Sequence, residues 1–138
     1  MAAERLGGRG RAVRRELRAL PASLQPGERV LALARGWWDM RGGLVVASDR
    51  RLLLLTRSLV PRRPRKRELS YARLASVARR VNGDRVWLRL DGGDSVLSLE
   101  LAPAGAGQEL AQLVASRAGF RRVDTLPAPI YRPGDFVG

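Results

Sequence analysis

The strongest constraint on the fold is the strict alternation of apolar and polar residues in the second half of the chain. Apolar residues occupy every second position from Val86 to Leu90 and again from Leu97 to Leu101. The break at 91–94 is Asp-Gly-Gly-Asp, and an Asn-Gly pair at 82–83 precedes the first run. A period of two, interrupted by such turn residues, is typical of antiparallel hairpins. This part of the chain is therefore predicted to form a sheet with one buried face.

Five more strands are predicted upstream, at 29–35, 44–47, 51–56, 66–71 and 74–81. In the first of them, alternation puts Leu31 and Leu33 on one face, opposite Val30, Ala32 and Ala34. The third is apolar on both faces, which predicts a central or covered strand. Residues 36–43, which hold both Trp37 and Trp38, are predicted to be a loop. The sequence thus predicts a mainly β (α+β) fold with seven strands.

Two helices are predicted to flank the sheet. The C-terminal one spans 108–118 and is closed by Gly119 as a C-cap. The N-terminal one spans 11–20 and ends before Pro21. It is short and amphipathic, with a basic face formed by Arg11, Arg14, Arg15 and Arg18. We expect this helix to pack on its own domain or on a partner helix, with contact to anionic lipid as the alternative.

Three regions are predicted: a basic helical extension (1–23), one folded domain (24–119) and a Pro-rich extended tail (120–138). The tail is interpreted either as a linear motif for a partner or as a strap over its own sheet. At 138 residues, one core is expected.

Positive charge is in large excess, with 26 Lys and Arg against 13 Asp and Glu, for a net charge of +13. A field of this sign attracts anionic partners. Lys66 is the only lysine, however, and such a preference for arginine also fits coding bias in a GC-rich, actinobacterial-like genome. Clustering is more informative than the total. The densest cluster, 57–67, contains no acidic residue and two prolines, Pro61 and Pro64, which exclude regular strand pairing across it.

Three segments resemble bacterial pleckstrin-homology-like (PH-like) domains of the YokE-like kind. They are Leu24–Val30 with its Gly-Glu pair, Ser-Asp-Arg-Arg-Leu-Leu at 48–53, and Glu-Leu-Ser-Tyr at 68–71 followed by Leu74–Val77. The resemblance covers about two-thirds of the chain. It implies a seven-stranded β-sandwich or barrel capped by a C-terminal helix, with the first-second and third-fourth loops at one open end. The resemblance does not extend to the phosphoinositide pattern, because position 43 is Gly and the second strand carries no cation.

The open end implied by the resemblance brings the candidate partner- and anion-binding residues together. They are Trp37, Trp38, Arg41, Arg62, Arg63, Arg65, Lys66 and Arg67. Arginine offers a planar set of donors to oxyanions, and an exposed tryptophan anchors protein or membrane contacts. One of the two tryptophans is expected to fill the end of the barrel instead. The predicted function is docking to an acidic protein surface or an anionic membrane face. The alternatives are sequence-nonspecific nucleic-acid binding through the arginine clusters and a structural role in a larger assembly.

Composition argues against catalysis and cofactors. The chain has neither Cys nor His, which excludes thiolate metal sites, Cys nucleophiles and the usual general base. The aspartates at 49, 84, 91 and 94 lie in predicted turns, where Asp normally accepts backbone hydrogen bonds. We therefore expect no enzyme activity, no cofactor and no metal. No apolar run is long enough to span a bilayer or to form a signal peptide, so the expected location is the cytoplasm or its membrane face.

Overall fold

The computed structural model describes residues 14–38, 41–56, 65–120 and 124–125. They form a first helix, α1 (Arg14–Ser23), and four strands, β1 (Val30–Trp38), β2 (Arg41–Ser48), β3 (Leu52–Thr56) and β4 (Arg65–Leu69). A short 3-10 turn (Tyr71–Arg73) leads to β5 (Ser76–Asn82), β6 (Arg85–Asp91) and β7 (Val96–Ala102). Helix α2 (Ala104–Arg117) and the two-residue strand β8 (Asp124–Thr125) complete the elements.

The described strands form one sheet in the order β4-β3-β2-β1-β7-β6-β5-β8. Strand β1 pairs with both β2 and β7 and so joins the β2–β4 half to the β5–β7 half. All pairings are antiparallel except that of β8 with β5. The predicted seven antiparallel strands and C-terminal helix are confirmed. Strand β8 was not predicted, because two residues carry no alternation and only the tertiary pairing makes them extended.

The main core lies between the inner face of the sheet and α2. The helix buries a stripe formed by Leu110, Ala111, Val114 and Ala115. Gly107 allows close approach, because a Cβ there would lie 3.0 Å from Leu101 Cβ and Val86 Cγ2. The helix ends in a Schellman motif, in which the N–H groups of residues 119 and 120 donate to the carbonyls of residues 116 and 115. Gly119, with φ +91°, supplies the left-handed residue that this motif needs.

A second apolar cluster covers the outer face of β1–β3. It contains Leu33, Leu44, Val46, Leu53 and Leu55 from the strands and Leu20 from α1. Leucines at successive positions of β3 therefore point into different cores, and the prediction of a covered strand is confirmed. Helix α1 packs on its own domain through this cluster, with Leu17 beside it.

The predicted loop at 36–43 is wrong, because β1 continues to Trp38 and β2 begins at Arg41. Glycines usually interrupt strands, but here they make room for indole rings. A Cβ on Gly36 would lie 2.9 Å from Trp38 Cζ3, and one on Gly43 would lie 2.7 Å from Trp38 Cη2. The glycines thus extend the hairpin rather than end it.

The helix boundaries also differ from the prediction. Helix α1 continues through Pro21 to Ser23, whose carbonyl accepts a 2.8 Å hydrogen bond from Arg51 Nη2. This long-range cap stabilises a last turn that lacks one internal hydrogen bond. Helix α2 begins at Ala104 instead of residue 108, since Gly107 packs on the sheet and its N–H bonds the Pro103 carbonyl.

Two predicted strand details need correction. A register shift between Val30 and Ala32 places Val30 with Leu33 at the outer cluster instead of with Ala32. The extra residue of a bulge reverses the alternation at this point. Tyr71, predicted to end a strand, lies in the 3-10 turn, where its hydroxyl donates to the carbonyls of Ser48 (2.7 Å) and Arg51 (2.9 Å).

Candidate functional site

The β1–β2 hairpin and the β3–β4 connection emerge at the same end of the sheet. The register aligns Trp38 with Arg41, Gly43 with Thr56, and Thr56 with Arg65. Strands stand about 4.8 Å apart, so β1 and β4 are separated by roughly 14 Å. The name basic rim is used here for the candidate residues in described strands that begin or terminate at this end: Trp37, Arg41, Arg65, Lys66 and Arg67. The last of these lies further along β4, opposite the middle residue of β3.

The two neighbouring tryptophans have opposite environments. Trp38 faces inward over Gly36 and Gly43 and is only 5% exposed, so it belongs to the core. Trp37 faces outward and is 54% exposed. Its six-membered ring covers Gly42, since a Cβ there would lie 3.1 Å from Trp37 Cε3 and Cζ3. Trp37 is thus the tryptophan of this pair that a partner can reach.

The cations of the basic rim are divided between the two faces of the sheet. Lys66 pairs with Leu55 on the outer face, and its Nζ lies 3.1 Å from Glu68 Oε1. Arg67 pairs with Leu54, shares the opposite face with Arg41, and is exposed, as is Arg41. A strand alternates its side chains, so consecutive basic residues in β4 cannot all serve one contact.

The structure describes the remaining predicted cations only in part. Arg65 begins β4, and Arg14 and Arg15 begin α1, but their side chains lie outside the described residues. Arg11, Arg62 and Arg63 lie outside them altogether. Arg18 is exposed on α1.

The segments that carry the family resemblance converge on a buried ion pair. Arg51 Nε and Nη2 each donate a 2.9 Å hydrogen bond to the Glu28 carboxylate. That carboxylate also accepts from Ser48 Oγ (2.6 Å) and from the Gln25 N–H (2.9 Å). The hydrogen bonds from Arg51, with smaller help from Ser48, lower the pKa of Glu28 to about 2 in spite of its burial. Glu28 and Arg51 remain charged throughout the physiological range.

Further contacts connect this ion pair to three other elements. Arg51 Nη1 lies 2.5 Å from Glu68 in β4, and Lys66 and Arg51 together lower the pKa of Glu68. Burial raises the pKa of the Tyr71 hydroxyl, which holds the β2–β3 turn. Asp49 Oδ1 accepts the Arg29 N–H at 2.9 Å, as expected of a turn aspartate. The motif residues therefore join α1, β1, β2–β3 and β4, which is a structural role.

Sequence reasoning missed a second surface, formed by the outward side chains of β1, β5, β6 and β7. The name outer sheet face is used for this set: Arg35, Trp37, Arg80, Arg85, Trp87, Arg89 and Glu100. Cross-strand pairing aligns Trp37, Glu100, Trp87 and Arg80 in one row across four adjacent strands. The signal for it was Trp87 itself, an aromatic residue at an outward position of an alternating strand.

Two negative findings hold for the described residues. No group of three or more Asp, Glu, His or Cys side chains is placed to hold a metal ion. Neither helix in the described ranges is long and apolar enough to cross a membrane.

Comparison with known proteins gives the fold. No protein-family model and no curated protein matches the chain, so membership of the YokE-like family is not confirmed. Among solved structures, a pleckstrin homology domain from Shewanella amazonensis SB2B matches with a TM-score of 0.51 and 15% identity, covering 75% of this chain and 96% of that one. The hSac2 domain from human phosphoinositide phosphatase Sac2 matches with a TM-score of 0.48 and 15% identity, covering 87% and 94%. The bacterial match and the strand order together show that this chain has a PH-like fold.

Proposed function

We propose that this chain is a non-enzymatic interaction module that docks on an acidic surface through the basic rim. The surface is that of a protein or of the anionic inner face of a membrane, and the protein works in the cytoplasm. The PH-like fold supports a binding role of this general kind. Fold alone does not give function, so the proposal depends on the site.

The exposure of Trp37 carries the proposal. Its neighbour Trp38 shows that the fold buries an indole readily at this hairpin, yet Trp37 leaves 54% of its surface in water. Trp and Arg are the residues most enriched at the energetic centres of protein interfaces. Trp37 and the two exposed arginines Arg41 and Arg67 lie on opposite faces of the sheet, so the partner would have to fit over the end of the β1–β2 hairpin. The arginines would attract an acidic surface and set the association rate, while the desolvated indole would set the residence time.

The test replaces Arg41 and Arg67 together by Gln and compares capture of partners from an extract of the source cells at two salt concentrations. Arg117→Gln, with an exposed arginine on α2, controls for the loss of positive charge. Photo-crosslinking from position 37 then identifies the bound protein, and sedimentation with phosphatidylglycerol vesicles tests the membrane face. We expect the rim variant, but not the control, to lose the crosslinked partner or the vesicles. Equal capture by the wild type and the rim variant would contradict the proposal.

A further inference from the structure

We infer that the outer sheet face, which shares only Trp37 with the basic rim, is a second binding site, for single-stranded nucleic acid. The site is centred on the row of Trp37, Glu100, Trp87 and Arg80 across the sheet. Trp37 and Trp87 both pair with Glu100, from opposite sides, so one strand separates them. Their Cα atoms are therefore roughly 10 Å apart on the same face. Two indoles from strands far apart in the sequence thus form one surface.

Stacking is the first contact that this surface offers. Trp37 lies over Gly42 with more than half of its surface open, and Trp87 is half-buried at the centre of the face. Every base has a π-face, so stacking on aromatic side chains binds single strands with little sequence preference. In a duplex the base faces are already stacked, and the indoles would meet only phosphate and groove edges. The two tryptophans therefore favour a single strand.

Phosphate contacts are the second kind of contact that this surface offers. Arg80 is the direct cross-strand neighbour of Trp87, and Arg89 is two residues after Trp87 on the same side of β6. Arg35 precedes Trp37 by two residues on β1 in the same way. Each indole therefore has a guanidinium beside it, the combination in which bases stack and phosphates are neutralised.

The acidic residue in the row is already neutralised. Glu100 Oε1 lies 2.6 Å from Arg85 Nη1. This pair leaves Arg35, Arg80 and Arg89 against one further outward carboxylate, Asp91 at the end of β6, so the face keeps a net positive charge. A bilayer fits this surface less well, because membrane insertion needs apolar side chains that protrude from the protein. Trp87 is instead half-buried within a row bounded by Glu100 and Arg80. A positively charged surface with two indoles fits an extended polyanion that has bases.

The test measures fluorescence anisotropy of a labelled 12-nucleotide oligouridine with the full chain. Trp87→Leu keeps an apolar side chain on the strand but removes stacking, and we expect binding to weaken about 10- to 100-fold with an unchanged salt dependence. Arg80→Gln removes one phosphate contact, and the slope of log K against log salt should fall by about 0.7. Trp37 also belongs to the basic rim, so Trp87 is the variant that isolates this site.

The controls keep the two sites distinguishable. Arg41→Gln alters only the basic rim, and Arg117→Gln removes a charge on α2, so both should bind the oligonucleotide like the wild type or nearly so. Thermal melting followed by circular dichroism verifies that each variant is folded. Three results would each overturn the inference: no binding at about 0.1 M salt, equal affinity for a duplex of the same length, or unchanged affinity in folded Trp87→Leu. A fourth result would also overturn the inference. If poly-glutamate or anionic vesicles bound the wild type but not Trp87→Leu, and oligouridine did not bind, the face would be a site for another polyanion.

Discussion

Replacing Arg51 by Met would remove the centre of the buried network and measure its contribution to stability. The change leaves the Glu28 carboxylate buried without its cation and the Ser23 carbonyl without its donor. The pKa of Glu28 lies at about 2 against an ordinary 4.5, and 1.36 kcal/mol per pKa unit makes the network worth about 3 kcal/mol at pH 7. Breaking a buried ion pair typically costs about 3–5 kcal/mol, in agreement. We expect the melting temperature to fall by about 10–20 °C.

The pH dependence of this effect has a definite sign. Because the folded state lowers the pKa of Glu28, its contribution is present above pH 4.5 and is lost as the pH falls toward 2. About half of it is gone by pH 3. In Arg51→Met, burial without a cation raises the pKa of Glu28 instead. The stabilisation that acidification removes from the wild type is therefore already absent in the variant. Urea unfolding at pH 7 and pH 3 should therefore show the stability gap shrinking by about half.

Arg50→Met is the matched control. It removes the neighbouring arginine, which is exposed and bonds Gln25, and should change stability by less than about 1 kcal/mol. The double variant Glu28→Gln with Arg51→Met should recover part of the loss, because no charge is then left buried. If Arg51→Met melted within 2–3 °C of the wild type, or if its deficit grew on acidification, the network would not have the role assigned to it.

Four further substitutions test the packing. Gly105→Ala should stabilise the protein by about 0.5–1 kcal/mol, since nothing lies within 4 Å of its Cβ position on α2. Gly107→Ala should destabilise it by about 1–3 kcal/mol, because its Cβ would contact β6 and β7. Urea unfolding of the two variants gives the comparison. Tyr71→Phe should cost about 1–2 kcal/mol in the same assay, because the buried carbonyls of Ser48 and Arg51 each lose one donor, although that of Arg51 keeps the Ser48 N–H and hydroxyl. Gly43→Ala should lower the melting temperature and shift Trp38 fluorescence to longer wavelength, since the new Cβ would clash with the Leu55 carbonyl of β3 and with the indole. An unchanged spectrum would contradict the packing described.

The number of antiparallel strands and their succession along the chain could be predicted because both follow from local signals. Alternation identified β6 and β7, turn residues separated them, and the doubly apolar β3 was predicted to be covered. The errors occurred where tertiary contacts override the local preference. Pro21 remains helical because Arg51, thirty residues later, caps the turn, and the 36–43 glycines remain extended because Trp38 packs over two of them. Arg51 lies outside the local sequence, and Trp38, although local, covers both glycines only when β1 and β2 pair.

The candidate site was predictable only in part, because local signals gave the connectivity of the strands but not their tertiary contacts. The hairpin connectivity put Trp38 beside Arg41 and placed β4 at the same end, as the resemblance implied. The sequence did not show which of two adjacent tryptophans is buried, because that depends on the phase of a strand predicted to be a loop. The outer sheet face was not predictable as a unit. Trp37 and Trp87 are fifty residues apart and meet only because β7 inserts between their strands.

The division of the outer surface bears on whether the excess of arginine has a function. Over most of β1–β3 that surface carries leucine and valine and is buried with α1, while over β5 and β6 it carries arginine. Coding bias accounts for arginine in place of lysine at any solvent-facing position, so the arginines alone do not decide the question. It does not account for tryptophan at outward positions, because alternation alone would place a polar residue there. The case for a binding surface therefore depends on Trp37 and Trp87, and the arginines gain significance from their position beside them.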